Sequence, residues 1–227
     1  MKLEKQHIAT FLAILFHVSG LIGILFTPYK EWFIQNTPLN LGLMALLLIW
    51  SHKGKNISFY LFLLTAFLVG MGTEMIGVHT GHLFGTYQYG SVLGPKFNEV
   101  PVLIGFNWFV VIFCSAAVMQ QFQDWFRTKI GEDGTDLPPR IAALSMVIDA
   151  ALLATFFDWL MEPVAVKLGF WKWSGQDIPL YNYVCWFLIG LALQLALRWF
   201  RCNRANHFAV HLFIIQALFF LALRTFL

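Results

Sequence analysis

Apolar residues run along this chain in blocks long enough to cross a bilayer, broken by short polar stretches. A transmembrane helix needs about 20 mainly apolar residues. The blocks predict seven spans, at roughly 8–27, 35–51, 57–78, 100–121, 141–162, 182–199 and 206–226. The second is the weakest pattern, because its strictly apolar core, 39–50, is short. Residues 121–130 mix aromatic and charged side chains and read as an interfacial segment. Residues 131–139 are the one stretch that resembles a soluble linker.

Composition agrees with this pattern. The 227 residues are 59% hydrophobic and 12% charged, with mean hydropathy +0.68, whereas soluble domains are typically about 25% charged. The expected fold is an all-α, polytopic helical membrane bundle, one transmembrane domain over residues 1–227. Net charge is only +3 and the basic residues lie in loops, which leaves nucleic-acid binding without support. Cys114, Cys185 and Cys202 form neither a disulfide framework nor a metal spacing. The first apolar run is longer than a signal-peptide core and lacks a small-residue cleavage site, so it reads as a retained first span.

Charge also orients the bundle. Alternate loops, beginning with the N-terminal segment, carry ten of the fifteen Lys and Arg residues, and the other side carries five. The positive-inside rule then predicts a multi-pass protein of the cell membrane, with its N-terminus cytoplasmic and its C-terminus outside. Spans three and five run in the same direction whatever the absolute orientation. Glu74, Asp158 and Glu162, near the ends of those spans, therefore belong at one membrane face.

A repeat links the two regions. An offset of 84 residues lays Glu74 on Asp158, Gly85 on Gly169, and Tyr87 and Tyr89 on Trp171 and Trp173. After a gap, Val100-Pro101 falls on Ile178-Pro179, and Asn107-Trp108 roughly on Asn182 and Trp186. Each half reads as helix, acid, glycine, two spaced aromatics, proline, returning helix. Two such halves running the same way form a parallel repeat, and transporters bind substrates at repeat interfaces.

The chemistry-bearing residues lie in these stretches. Ionisable groups inside a span are costly and point to function. Asp158 and Glu162 stand four apart, on one helix face. Two close carboxyls at low dielectric do not both ionise readily, so the pair suits holding one proton as a general acid. The competing reading puts these acids at wet helix ends, capping or pairing with Lys167 or Lys172. Asp149, nine residues before Asp158, faces the other way and is expected to hydrogen-bond within the bundle. Tyr87, Tyr89, Trp108, Trp171 and Trp173 belong at the same face. In extended loops, residues two apart point alike, so each pair can present two rings to one cavity, and aromatic faces stabilise cations. Aromatic belts at membrane interfaces are the bland alternative.

Other chemistries lack their residues. His79 and His82, and the pair His207 and His211, are too few for a membrane di-iron site, and no metal or other cofactor is expected. The last span has no lysine for a retinal Schiff base. The repeated Asp motifs of magnesium-dependent polyprenyl transferases are missing.

Glu74, Gly77-Val78, Thr80-Gly81, Phe84-Gly85, Tyr87, Tyr89, Leu93-Gly94, Val100-Pro101 and Asn107-Trp108 resemble the carotenoid 1',2'-hydratase family, which includes bisanhydrobacterioruberin and γ-carotene hydratases. Asp158, Glu162-Pro163, Gly169, Trp171, Trp173, Ile178-Pro179, Asn182-Tyr183 and Trp186 resemble it as well. Glu162 stands where that pattern has Asp, and Cys185 where it has Gly. The resemblance implies addition of water across the C1'=C2' bond of an acyclic end group, without cofactor. Its substrate would be lycopene, γ-carotene or a related carotenoid, met within the lipid bilayer. Asp158 or Glu162 would be the acid, and the other of the pair, or Glu74, the base. Tyr87, Tyr89, Trp108, Trp171 and Trp173, with Asn107 and Asn182, would line the substrate site. A membrane carotenoid cyclase and a non-enzymatic carotenoid or lipid carrier are the alternatives. A cyclase must exclude water, and acids at wet helix ends argue against it.

Overall fold

The computed structural model describes residues 4–130, 138–175 and 177–227. The linker expected at 131–139 falls outside them as far as position 137. The chain forms α1 (Lys5–Phe26), α2 (Lys30–Gln35), α3 (Thr37–Ser51), α4 (Ile57–Thr80), α5 (Val102–Ile130), α6 (Pro139–Lys167), α7 (Leu180–Trp199) and α8 (His207–Phe226). Four very short strands sit between helices: β1 (Tyr87–Tyr89), β2 (Lys96–Phe97), β3 (Val100–Pro101) and β4 (Trp171–Trp173). The protein is an all-α polytopic membrane bundle. Six described helices are long and apolar enough to cross a bilayer. The second expected span is broken at Asn36, and its main piece, α3, has 15 residues. At about 1.5 Å per residue, such a helix is shorter than a hydrocarbon core of about 30 Å.

α5 is the axis of the bundle. Every residue from Trp108 to Ala117 is buried, as a helix apolar on all sides requires. Its buried Ser115 is satisfied within the bundle, because Gln194 Nε2 of α7 donates to Ser115 Oγ at 3.1 Å and to the Ile112 carbonyl at 2.9 Å. α4 packs along α5, α7 along α6, α5 against α6, and α8 against α1, α5 and α6. Outward-facing Phe11, Leu64, Leu68, Leu188 and Leu218 remain exposed, which matches a lipid-facing surface.

Two expected boundaries move. Residues 121–130 are no separate interfacial segment but the end of α5, with Phe122, Trp125 and Phe126 exposed on it. The fifth span does not stop before Pro163, since α6 continues to Lys167. Proline deletes one helical hydrogen bond but does not end a helix whose neighbours pack on both sides. Glu162 consequently lies more than a turn inside its helix.

Candidate functional site

The two aromatic loops become strands that pair with each other. β1 and β4 run antiparallel, with Tyr87 opposite Trp173, Gln88 opposite Lys172 and Tyr89 opposite Trp171. Equivalent residues cross about a central pair, which is the relation a two-fold repeat demands. Alternation puts the outer residues of each strand inward and Gln88 and Lys172 outward. The strand ends join at close quarters. Gly90 N donates to the Phe170 carbonyl at 2.8 Å, and a methyl group at Gly90 would stand 2.1 Å from the Gly169 carbonyl oxygen.

Beneath this pair, each half encloses a glutamate. Glu74 Oε2 accepts from the hydroxyls of Tyr87 and Tyr89, the latter at 2.8 Å, and Oε1 accepts from Trp108 Nε1 at 3.0 Å. Glu162 Oε2 accepts from Trp171 Nε1 and Trp173 Nε1, both at 3.0 Å, and Oε1 lies 3.4 Å from Asn182 Nδ2. In both halves one oxygen takes the two strand aromatics and the other a donor from the returning helix. Burial, and after it the charge of Glu74, holds the Tyr87 and Tyr89 phenols above the usual tyrosine range, so both remain O–H donors.

This pattern corrects the overlay of Glu74 on Asp158. By hydrogen bonding, the counterpart of Glu74 is Glu162. The strands keep the 84-residue offset, but the helices leading into them are offset by 88. The difference is one helical turn, so the same helix face is presented. Asp158 then falls on Gly70. There a methyl group would stand 2.6 Å from the Trp108 ring, leaving no room for an acid in the first half. On the returning helices the offset is 78, which lays Asn182 on Ile104 and Trp186 on Trp108. Those two indoles stack at 3.9 Å and 11° across the interface.

Asp158 differs from both glutamates. Its Oδ2 accepts from Asn182 Nδ2 at 2.8 Å, whereas Oδ1 is buried without a partner among the described residues. Buried carboxyl oxygens normally find donors, and both glutamates do. Asp158, Glu162, Glu74, Tyr87, Tyr89, Trp108, Trp171, Trp173, Asn107 and Asn182 all line one cavity. The structure thus gathers every candidate acid, ring and asparagine of the expected site. It adds Phe84, Ile104, Met161 and Trp186. Phe84 and Trp186 stood among the family-like residues, and Trp186 fell opposite Trp108; Ile104 and Met161 left no signal. The space for water-sized occupants is about 20 Å³, enough for one or two waters.

The acids are not wet. Glu74, Asp158 and Glu162 are 5%, 0% and 3% exposed, and Glu162 is held by indoles rather than by Lys167 or Lys172. Asp149 does bond within the bundle, accepting from Ser145 Oγ of its own helix at 2.8 Å. His79 Nδ1 lies 3.0 Å from the Met75 carbonyl, and His211 Nδ1 lies 3.0 Å from Thr10 Oγ1.

Residues 37–227 match the family described as carotenoid biosynthesis protein. The chain belongs to that family. It is also similar to the bisanhydrobacterioruberin hydratase of Haloarcula japonica, with 27% identity over 127 residues, 54% of this chain and 39% of that protein. The chain thus matches well under half the length of that curated relative. No solved structure matches the chain.

Proposed function

We propose that this carotenoid biosynthesis protein is a carotenoid hydratase, adding water across the terminal C1'=C2' bond of an acyclic end group. The observation that carries the reading is the unpartnered Oδ1 of Asp158, facing a cavity with room for a water. The matched relative is named as a hydratase, which supports the same reaction class.

The steps follow from the residues. Asp158 gives the proton on Oδ1 to C2' of the alkene, and the π electrons form the new C–H bond. The tertiary cation left at C1' faces the rings of Tyr87, Tyr89, Trp171 and Trp173, whose π faces favour positive charge. Water bonds to C1' through oxygen and loses one proton, leaving a tertiary alcohol. Glu74 is the base. Its acceptor oxygens already receive three donors, so it is organised as a carboxylate. Return of that proton to Asp158 closes the cycle. Asn182 fixes the Asp158 carboxyl by holding Oδ2, and Glu162, held by two indoles, adds negative charge near the cation. No redox step occurs, so none of these steps calls for a cofactor.

The resting cavity has room for a water but not for an end group, so side chains around it must move when substrate binds. A carotenoid is about as long as a bilayer is thick, so access from lipid is natural. The excess of Lys and Arg on one side supports placing the N-terminus in the cytoplasm and the site near the outer face of the cell membrane.

The burial of the three acids favours one second reading. A cyclase begins with the same protonation, but the polyene captures the cation, and buried acids suit that step. Product mass separates the two. Expression in a lycopene-producing host should give pigment heavier than lycopene by one water. A new pigment of unchanged mass would overturn hydration in favour of cyclisation.

A further inference from the structure

Proline at position 163 leaves a gap in α6. Its ring nitrogen has no hydrogen, so the carbonyl four residues earlier, on Trp159, loses its ordinary helical donor. Trp159 follows Asp158 directly, and Pro163 follows Glu162 directly. The unpaired carbonyl therefore belongs to the very turn that carries both acids. In a bilayer an unsatisfied carbonyl is costly and must find another donor. It finds one on a different helix: Arg224 Nη1, from the last turn of α8, donates to the Trp159 carbonyl at 2.7 Å. The same guanidinium lies over the Trp159 indole, 3.8 Å from the ring centre. One arginine thus holds one residue at two points, by a hydrogen bond to its backbone and by a cation–π contact to its side chain. The first half has no such gap. The counterparts of Trp159 and Pro163 are Met71 and Met75, and Met75 keeps its N–H.

We infer that Arg224 is a positioning residue for the proposed acid pair: it replaces the hydrogen bond that Pro163 deletes and so fixes the turn bearing Asp158 and Glu162. Arg224 does not line the cavity, and its effect passes through the backbone of α6. Without it, the carbonyl of Trp159 would tilt toward another donor, and the turn would have two ways to sit. The aim of Asp158 Oδ1 depends on that turn, whereas the strand rings that receive the substrate do not.

The inference rests on the hydratase reading, and restoring the missing N–H tests it separately. Pro163→Ala returns a helical donor to the Trp159 carbonyl and makes the arginine redundant for this bond. Arg224→Met keeps length and apolar stem but removes all donors. In the natural background, Arg224→Met should lower kcat about tenfold with little change in KM, because binding rings stay in place. It should also speed amide exchange across residues 160–166. In the Pro163→Ala background, the same substitution should cost less than about threefold in kcat and leave exchange slow. Equal losses in both backgrounds, or no loss in the natural one, would overturn the positioning role. Exchange can be read on protein that performs no hydration at all. A background-dependent exchange effect without a hydrated product would therefore sink the hydratase reading and keep the arginine's role. Hydration by the natural chain with exchange and kcat insensitive to Arg224 would do the reverse.

Discussion

The two halves of the site share a frame and differ in their reactive content. Each half brings in a helix with a buried glutamate, crosses through a three-residue strand with two inward aromatics, and returns in a helix whose tryptophan stacks on its counterpart. Each glutamate is an acceptor fed by three donors. The second half alone adds Asp158, where the first has Gly70, Asn182 where the first has Ile104, and Pro163 where the first has Met75. Repetition supplies two preorganised carboxylates, and departure from repetition supplies a carboxyl with a free oxygen. A symmetric site would hold charge but would have no group poised to give a proton. In the proposed mechanism, asymmetry inside a symmetric frame is what separates the acid from its base.

Asp158→Asn should break this contrast most completely. The amide is nearly isosteric, and its oxygen can still accept from Asn182, but it has no carboxyl proton to give. General acids commonly contribute about 10²–10⁴ in rate, and product yield per membrane-inserted protein should fall by the upper part of that range. Thermal unfolding in detergent should barely move, because Oδ1 has no bond to lose.

The glutamates should respond in the opposite way. Glu74→Gln and Glu162→Gln each put an amide N–H against a buried donor, Trp108 in one case and Asn182 in the other. Leaving buried polar groups unsatisfied costs about 1–3 kcal/mol, so both variants should melt lower than Asp158→Asn. Activity should fall as well, more steeply for Glu74→Gln, which removes the proposed base. Melting points ordered the other way would remove the distinction between held carboxylates and a free acid.

Gly70→Ala sharpens the comparison from the first half. The added methyl meets Trp108, which packs on Trp186 and cannot retreat freely. Overpacking of this kind costs about 1–3 kcal/mol, and a drop in melting temperature with partial loss of turnover is expected. Asp149→Asn should do least. Its partner is Ser145 on the same helix, it lies away from the cavity, and a change within about 0.5 kcal/mol is expected. A large loss of activity there would extend the proton path beyond the cavity lining.

Much of this site could be read from the chain. The spacing of Tyr87, Tyr89, Trp171 and Trp173 marked the inward faces, and span parity put the three acids at one end of the bundle. Three features were not legible, each for a physical reason. Pairing of β1 with β4 joins residues more than eighty positions apart, and a three-residue strand has no periodicity of its own. The equivalence of Glu74 with Glu162 was hidden because the two halves take different lengths of chain from acid to strand; an overlay pinned on the strands slips by one turn on the helices. The burial of Glu162 was missed because Pro163 reads as a stop. Only tertiary contact, from Arg224, shows how the helix passes through it.

The central claim is that Asp158 protonates an alkene whose cation is then captured by water. Isotopic labelling tests both parts at once. Membranes holding the natural chain or Asp158→Asn would be given lycopene in water enriched in heavy oxygen, and the pigments weighed. The natural chain should yield an alcohol carrying one heavy oxygen, and Asp158→Asn should return the lycopene unchanged. An isomer without heavy oxygen from the natural chain, or labelled alcohol from Asp158→Asn at the natural yield, would contradict the account.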